Sequence, residues 1–178
     1  MVRNHPTIKK LGGIKLDNSH QKLVGLIKAA LVAAIYVVLT IALIMFSYGP
    51  VQFRLSEMLN NLAVFHKRYV WALTLGCVIA NLWSSLGAVD VIFGSLETFL
   101  MTGISYLLSK LVKKTWQKLA IAVVICTFSM WIIALELYVI SQAPFWATYL
   151  SVALGELGSM ILGAILIGII STKVDLTK

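Results

Sequence analysis

Along this chain, charged residues are sparse punctuation between long apolar stretches. No charged side chain occurs over 29–53, 69–89, 119–135, 137–155 or 157–172. A helix needs ~20 predominantly apolar residues to cross a bilayer core. The spacing predicts six helices, at 24–47, 55–66, 69–84, 89–112, 117–142 and 147–172. The second is short for a full crossing and counts as a span because the topology then closes. The expected fold class is an all-α membrane protein with six transmembrane helices in one bundle. A basic cytoplasmic tail at 1–22 precedes this bundle domain at 23–172, and a short cytoplasmic tail follows at 173–178. The tail through His20 is polar and is expected to be mobile or to lie on the surface. The apolar stretch from Leu23 to Phe46 is longer than the core of a secretory signal, so helix 1 is expected to stay attached.

Composition strengthens the lipid reading. Of 178 residues, 60% are hydrophobic and 12% charged. A soluble domain carries roughly 25% charged residues. The 15 Lys and Arg outnumber the 7 Asp and Glu, for a net charge of +8. In a soluble protein that excess would suggest nucleic acid. Here its placement says otherwise. Basic residues precede helix 1, fill the turns after helices 2 and 4, and follow helix 6. With six spans, every Lys and Arg except Arg54 falls on one side. The positive-inside rule then places both termini in the cytoplasm, and no nucleic-acid role is expected.

Catalytic and metal-binding patterns are absent. Cys77 and Cys126 sit inside predicted helices as small packing residues. His5, His20 and His66 lie in the tail or at a basic turn. There is no HExxH, phosphate-binding loop, GxSxG or paired-cysteine motif. No cofactor, no metal and no ATPase activity within the chain are expected.

Polar residues at membrane depth need a reason, because each inserted carboxylate costs ~2.5–3.5 kcal/mol. Four occur: Glu57, Glu97, Glu136 and Glu156. In the six-span topology all fall in the outer half, on four different helices, joined by Asn81, Asn60 and Asn61. Each alone is explained equally well by helix packing through a hydrogen bond. Together they point to a shared cavity open to the outside. Only Arg54 balances them, so the ligand should be cationic or rich in hydrogen-bond donors. Trp83 and Tyr138, among several aromatics near the outer helix ends, are candidates to stack a planar ring. An interfacial aromatic belt explains most of the others. Small-residue stripes mark helix contacts. The stripe Gly25, Ala29 and Ala33, with Ala30 and Ala34 beside it, follows five basic residues, has a sixth, Lys28, within it, and suits a partner at the cytoplasmic surface.

Three strings then carry a resemblance. Tyr48-Gly49-Pro50-Val51-Gln52-Phe53-Arg54-Leu55-Ser56-Glu57 follows helix 1. Gly76-Cys77-Val78-Ile79-Ala80-Asn81-Leu82 lies on helix 3, and Asp90-Val91-Ile92-Phe93-Gly94-Ser95-Leu96 opens helix 4. With them the chain, from about Ile27 to Ile170, resembles the QueT family of queuosine-precursor transporters. These are substrate-binding (S) components of energy-coupling factor (ECF) transporters. The resemblance implies a six-helix bundle that takes a small solute from outside. It implies partners too: a transmembrane coupling protein and two cytoplasmic ATPases, met by an AxxxA stripe for which Ala29–Ala33 and Ala30–Ala34 both qualify. The implied ligand is a deazaguanine, the aminomethyl form foremost and the nitrile form beside it.

A carboxylate accepting parallel N–H bonds from the guanine edge would reject adenine-like rings. Glu97, Glu136 or Glu156 would take that task, helped by Asn81, and a second acid would meet the amine. Gln52, Phe53, Arg54 and Glu57 would form a gating loop, with Arg54 and Glu57 either pairing with each other or touching ligand. Two alternatives stand beside this reading. One is an S component for a different vitamin or purine-like solute. The other is a non-transporting membrane scaffold subunit.

Overall fold

The computed structural model describes residues 7–47, 53–84 and 86–177, with side chains from Ser19 onward apart from Phe46. Its elements are helices α1 (Thr7–Ala42) and α2 (Ile44–Ser47), a 3-10 helix η1 (Leu55–Val64), and helices α3 (Lys67–Asn81), α4 (Ala88–Ser109), α5 (Thr115–Ser129), α6 (Trp131–Ser141) and α7 (Phe145–Ser171). Four stretches are long and apolar enough to cross a membrane: Ser19–Ala42, Ala88–Ser109, Thr115–Ser141 and Phe145–Ser171. The predicted helices 1, 4, 5 and 6 correspond to these. α1 also reaches back to Thr7, so much of the predicted tail is helical.

The second and third predicted helices differ most. At 2.0 Å per residue, η1 spans about 20 Å, and α3 at 1.5 Å per residue is about 23 Å long. Both fall short of the ~30 Å hydrocarbon core. η1 is the hub of the fold rather than an outer wall. Ser56, Glu57, Leu59, Asn60, Asn61, Leu62, Ala63 and Val64 are all buried, and α1, α3, α4, α5 and α7 pack around it. Three residues per turn stack positions i and i+3, and one such pair is bonded here, the Asn60 amide donating to Glu57 Oε2.

α7 crosses η1 at Gly163. A Cβ there would stand 2.2 Å from the Met58 carbonyl oxygen and 2.7 Å from Met58 Cα. Only a glycine admits so close a backbone approach. The Asn61 amide reinforces the crossing by donating to Met160 O at 3.1 Å.

The predicted fifth helix is broken into α5 and α6. Ser129 closes α5 by donating to the Cys126 carbonyl at 2.7 Å. Such back-bonding by serine bends helices. Outward faces stay apolar: Leu31, Val38, Trp71, Val124, Phe128, Leu154 and Ile165 are among the exposed side chains, as lipid-facing helices require.

Candidate functional site

The interior carries a cluster of polar groups that would be too costly to bury without a purpose. Arg54, Glu57, Glu97 and Glu156 line one small cavity, with Met130, Ile133 and Val152 as its apolar walls. The three carboxylates come from η1, α4 and α7, and Arg54 from the residue preceding η1. All four are at least nine-tenths buried. The cavity measures about 20 Å³, room for about one water molecule.

The three acids are not equivalent. Glu57 is engaged at both oxygens: Tyr36 Oη donates to Oε1 at 2.5 Å, and Asn60 to Oε2. Behind it, Thr40 Oγ1 bonds Ser56 Oγ at 2.7 Å, tying α1 to η1. Glu97 accepts from Ser129 Oγ at 2.6 Å, so the break between α5 and α6 is what presents a hydroxyl to α4. Glu156 is the open acid, because its Oε1 is buried and has no hydrogen-bond partner.

Arg54 pairs with Asp90, Nη2 to Oδ2 at 3.6 Å, and its Nε donates to the Ser47 carbonyl at 3.3 Å. The sequence pattern had offered Glu57 as its partner. Asp90 itself sits in the first turn of α4. Asn81 stitches the α3–α4 turn by donating to Asp90 O at 2.9 Å. Gly94 leaves room for that amide, since a Cβ there would stand 2.5 Å from Asn81 Nδ2. Among the described residues, one buried cation, Arg54, thus serves an interior that also holds Glu57, Asp90, Glu97, Glu136 and Glu156.

The remaining candidates are spread more widely. Glu136 is buried on α6 with neither carboxylate oxygen partnered, but it does not line the cavity. It feels the charges of Asp90 and Arg54. Asn81 is fully buried and does not line the cavity. Phe53 lies over α7, its ring 3.4 Å from where a Cβ of Gly158 would be. Gln52 lies outside the described residues. Trp83 and Tyr138 are about half exposed, at 54% and 49%, and neither lines the cavity.

On α1 the two small stripes part company. Ala33 is buried against α3, its carbonyl 3.1 Å from where a Cβ of Gly76 would sit, and Ala29 is half-buried. Ala30 and Ala34 are exposed. Tyr36, Thr40, Ser56, Asp90 and Ser129 complete the site. None carries a motif signal by itself. Ser56, inside the string that follows helix 1, and Asp90, inside the string that opens helix 4, stand in segments already marked.

Comparison with known proteins follows the same line. The family model described as QueT transporter matches residues 26–172. A curated relative, the queuosine precursor transporter QueT of Lactococcus lactis subsp. cremoris (strain MG1363), is 38% identical over 162 residues, covering 86% of this chain and 95% of the relative. No solved structure matches the chain significantly. With four apolar helices of crossing length this is a multi-pass membrane protein, and it belongs to the QueT transporter family, a family of transporters rather than enzymes.

Proposed function

We propose that the chain is the substrate-binding membrane subunit of an ECF-type transporter that takes up a queuosine precursor, a 7-deazaguanine base in its aminomethyl form. The observation that carries this reading is the buried cavity of Glu57, Glu97 and Glu156 served by one arginine. Such an acid-rich interior suits a ligand that brings N–H donors and a positive charge. The base presents its ring N–H and exocyclic amine along one edge, and its aminomethyl group is cationic at neutral pH.

The hydrogen-bond pattern supports one division of roles. Glu156 is the acceptor for the guanine edge, because its Oε1 is buried and unpartnered. Glu97, oriented by Ser129, meets the aminomethyl group. Glu57 is held by Tyr36 and Asn60 and supplies the negative field. Met130, Ile133 and Val152 sandwich the ring. Trp83 and Tyr138 belong to the outer aromatic belt in this reading. Glu136 acts on the charge of the Arg54–Asp90 pair.

Binding requires opening. Small-molecule sites commonly measure ~300–1,000 Å³, far more than this cavity. The segment carrying Phe53 and Arg54 covers it, latched to α4 by the Arg54–Asp90 pair. Release of that pair lifts the loop and admits the base from outside. Six crossings with cytoplasmic termini, the two short elements η1 and α3 included, keep the basic collar on one side. The coupling protein docks on the exposed Ala30 and Ala34 of α1, and two partner ATPases supply the driving force.

Titration calorimetry on the purified chain tests this. Aminomethyl-deazaguanine should bind stoichiometrically and adenine should not. If no deazaguanine releases or absorbs heat while mass spectrometry of the purified protein finds a different co-purified solute, the substrate assignment is wrong.

A further inference from the structure

At the N-terminal ends of α1 and α3 lies a second feature, remote from the acidic cavity. Two adjoining clefts of about 570 and 520 Å³ share Gln21, Gly25 and Arg68. Lys22, Lys28, His20 and His66 complete the polar part of the lining, and Val24, Leu26, Ala29 and Trp71 the apolar part. Among the described residues, no carboxylate lines either cleft.

Arg68 is the centre of this groove. Its guanidinium lies across α1 at Gly25, Nη1 standing 3.0 Å from where a Cβ would be. Nη2 donates to the Thr177 carbonyl at 3.4 Å, and the cation sits 5.7 Å from the Tyr69 ring centroid. Nε is buried without a partner. Among the described residues, no carboxylate lies within ion-pair distance of Arg68. A guanidinium held in this way, with Lys22 and Lys28 on the same groove, is a receptor for a phosphate oxyanion.

The apolar half of the groove decides which phosphate. Leu26 and Trp71 are 67% and 64% exposed. The apolar stretch of α1 begins at Leu23, directly after Lys22, so the groove stands at the boundary between headgroups and hydrocarbon. A free phosphate would leave Leu26 and Trp71 uncovered, whereas a phospholipid covers both halves at once.

We propose that the groove between α1 and α3, built on Arg68, Gly25, Lys22, Lys28, Leu26 and Trp71, is a binding site for one anionic phospholipid. Its phosphate sits on Arg68 and an acyl chain runs along Leu26 and Trp71. This inference is independent of the substrate reading, since no residue is shared with the acidic cavity.

Native mass spectrometry of the full chain, released from nanodiscs, tests it. The probes are phosphatidylglycerol, phosphatidylcholine of the same chain length, and glycerol 3-phosphate as the headgroup alone. One phosphatidylglycerol should survive release at a fraction at least about tenfold above phosphatidylcholine. Glycerol 3-phosphate at the same concentration should not displace it. Arg68→Gln should reduce the adduct about tenfold, and Lys22→Gln with Lys28→Gln about threefold. Gly25→Leu, which pushes Arg68 off α1, should match Arg68→Gln. Equal retention of the two lipids, or displacement by glycerol 3-phosphate, overturns the proposal. Should Arg68→Gln fail to fold, the double lysine variant decides, and an unchanged adduct there overturns it as well. A groove that takes no lipid, but is protected from hydrogen exchange once the coupling protein is added, overturns it in favour of a protein occupant.

Discussion

Glu156→Gln separates the two things a buried acid does. The substitution keeps size and shape but removes the charge and converts one acceptor oxygen into a donor. Towards the base, two charge-assisted N–H···O bonds become one neutral bond and one donor facing a donor. A hydrogen bond to a charged group is worth about 1.5–3 kcal/mol, and an unsatisfied buried donor costs about 1–3 kcal/mol. A loss of about 3 kcal/mol is therefore expected, or roughly 100-fold in affinity at 1.4 kcal/mol per decade. Towards the ligand-free fold the sign is opposite. Glu156 shares its surroundings with Glu57 and Glu97, and removing one of three neighbouring carboxylates relieves repulsion and desolvation. Calorimetry in detergent should show the affinity loss, and thermal unfolding of the ligand-free protein should shift upward. Glu136→Gln, off the cavity wall, is the control and should cost less than about tenfold in affinity, or about 1.4 kcal/mol. Equal losses for the two variants, or an affinity for Glu156→Gln within threefold of the parent, would refute the assignment of Glu156 to the guanine edge.

Three further outcomes follow from single contacts. Gly163→Ala places a methyl 2.2 Å from the Met58 carbonyl, so thermal unfolding in detergent should show a loss of about 1–3 kcal/mol from overpacking. Gly158→Ala, which meets only the Phe53 ring at 3.4 Å, should be nearly neutral. Asp90→Asn weakens the hold on Arg54 but leaves the Asn81 bond to the Asp90 carbonyl intact. Stopped-flow binding should therefore show faster ligand association and release, with a smaller change in affinity. His66 caps α3 by accepting at Nδ1 from the Arg68 N–H at 3.0 Å, and burial, with Arg68 and Lys67 beside it, holds its imidazole below the ordinary histidine value. A lowered folded value means the cap's contribution is present above the unfolded value and is lost as pH falls through the folded one. Melting temperature should fall modestly between about pH 7 and 5, and His66→Asn, a cap that does not titrate in this range, should flatten that slope.

The long apolar spans were legible because lipid exposure leaves its mark on every outward position. So was the gathering of acids. Glu57, Glu97 and Glu156 sit on separate helices of one bundle, and apolar surroundings single each of them out. What the pattern concealed was the winding of 55–64. Ten residues with Glu57, Asn60 and Asn61 among leucines read as part of a short spanning helix, and nothing local reports that the element is enclosed on all sides. Tyr36, Thr40 and Ser129 were hidden for a related reason. A hydroxyl in an apolar helix is tolerated by bonding its own backbone, as Thr40 does to the Tyr36 carbonyl. Its second partner, Ser56 or Glu97, appears only once the helices are assembled. Trp83 and Tyr138 are half exposed and off the cavity wall, and the pattern alone does not separate the two uses: aromatics at helix ends serve lipid headgroups as readily as a ring-shaped ligand.

The winding of η1 also sets a length. Ten residues rise about 20 Å in 3-10 geometry and about 15 Å as an α-helix. The same conversion carries a residue three positions along about 60° out of line with its starting partner. The Asn60–Glu57 bond joins two positions that 3-10 winding stacks directly, so it favours the longer form of the element. The two windings differ by about 5 Å along the axis of η1, the element that α7 crosses at Gly163.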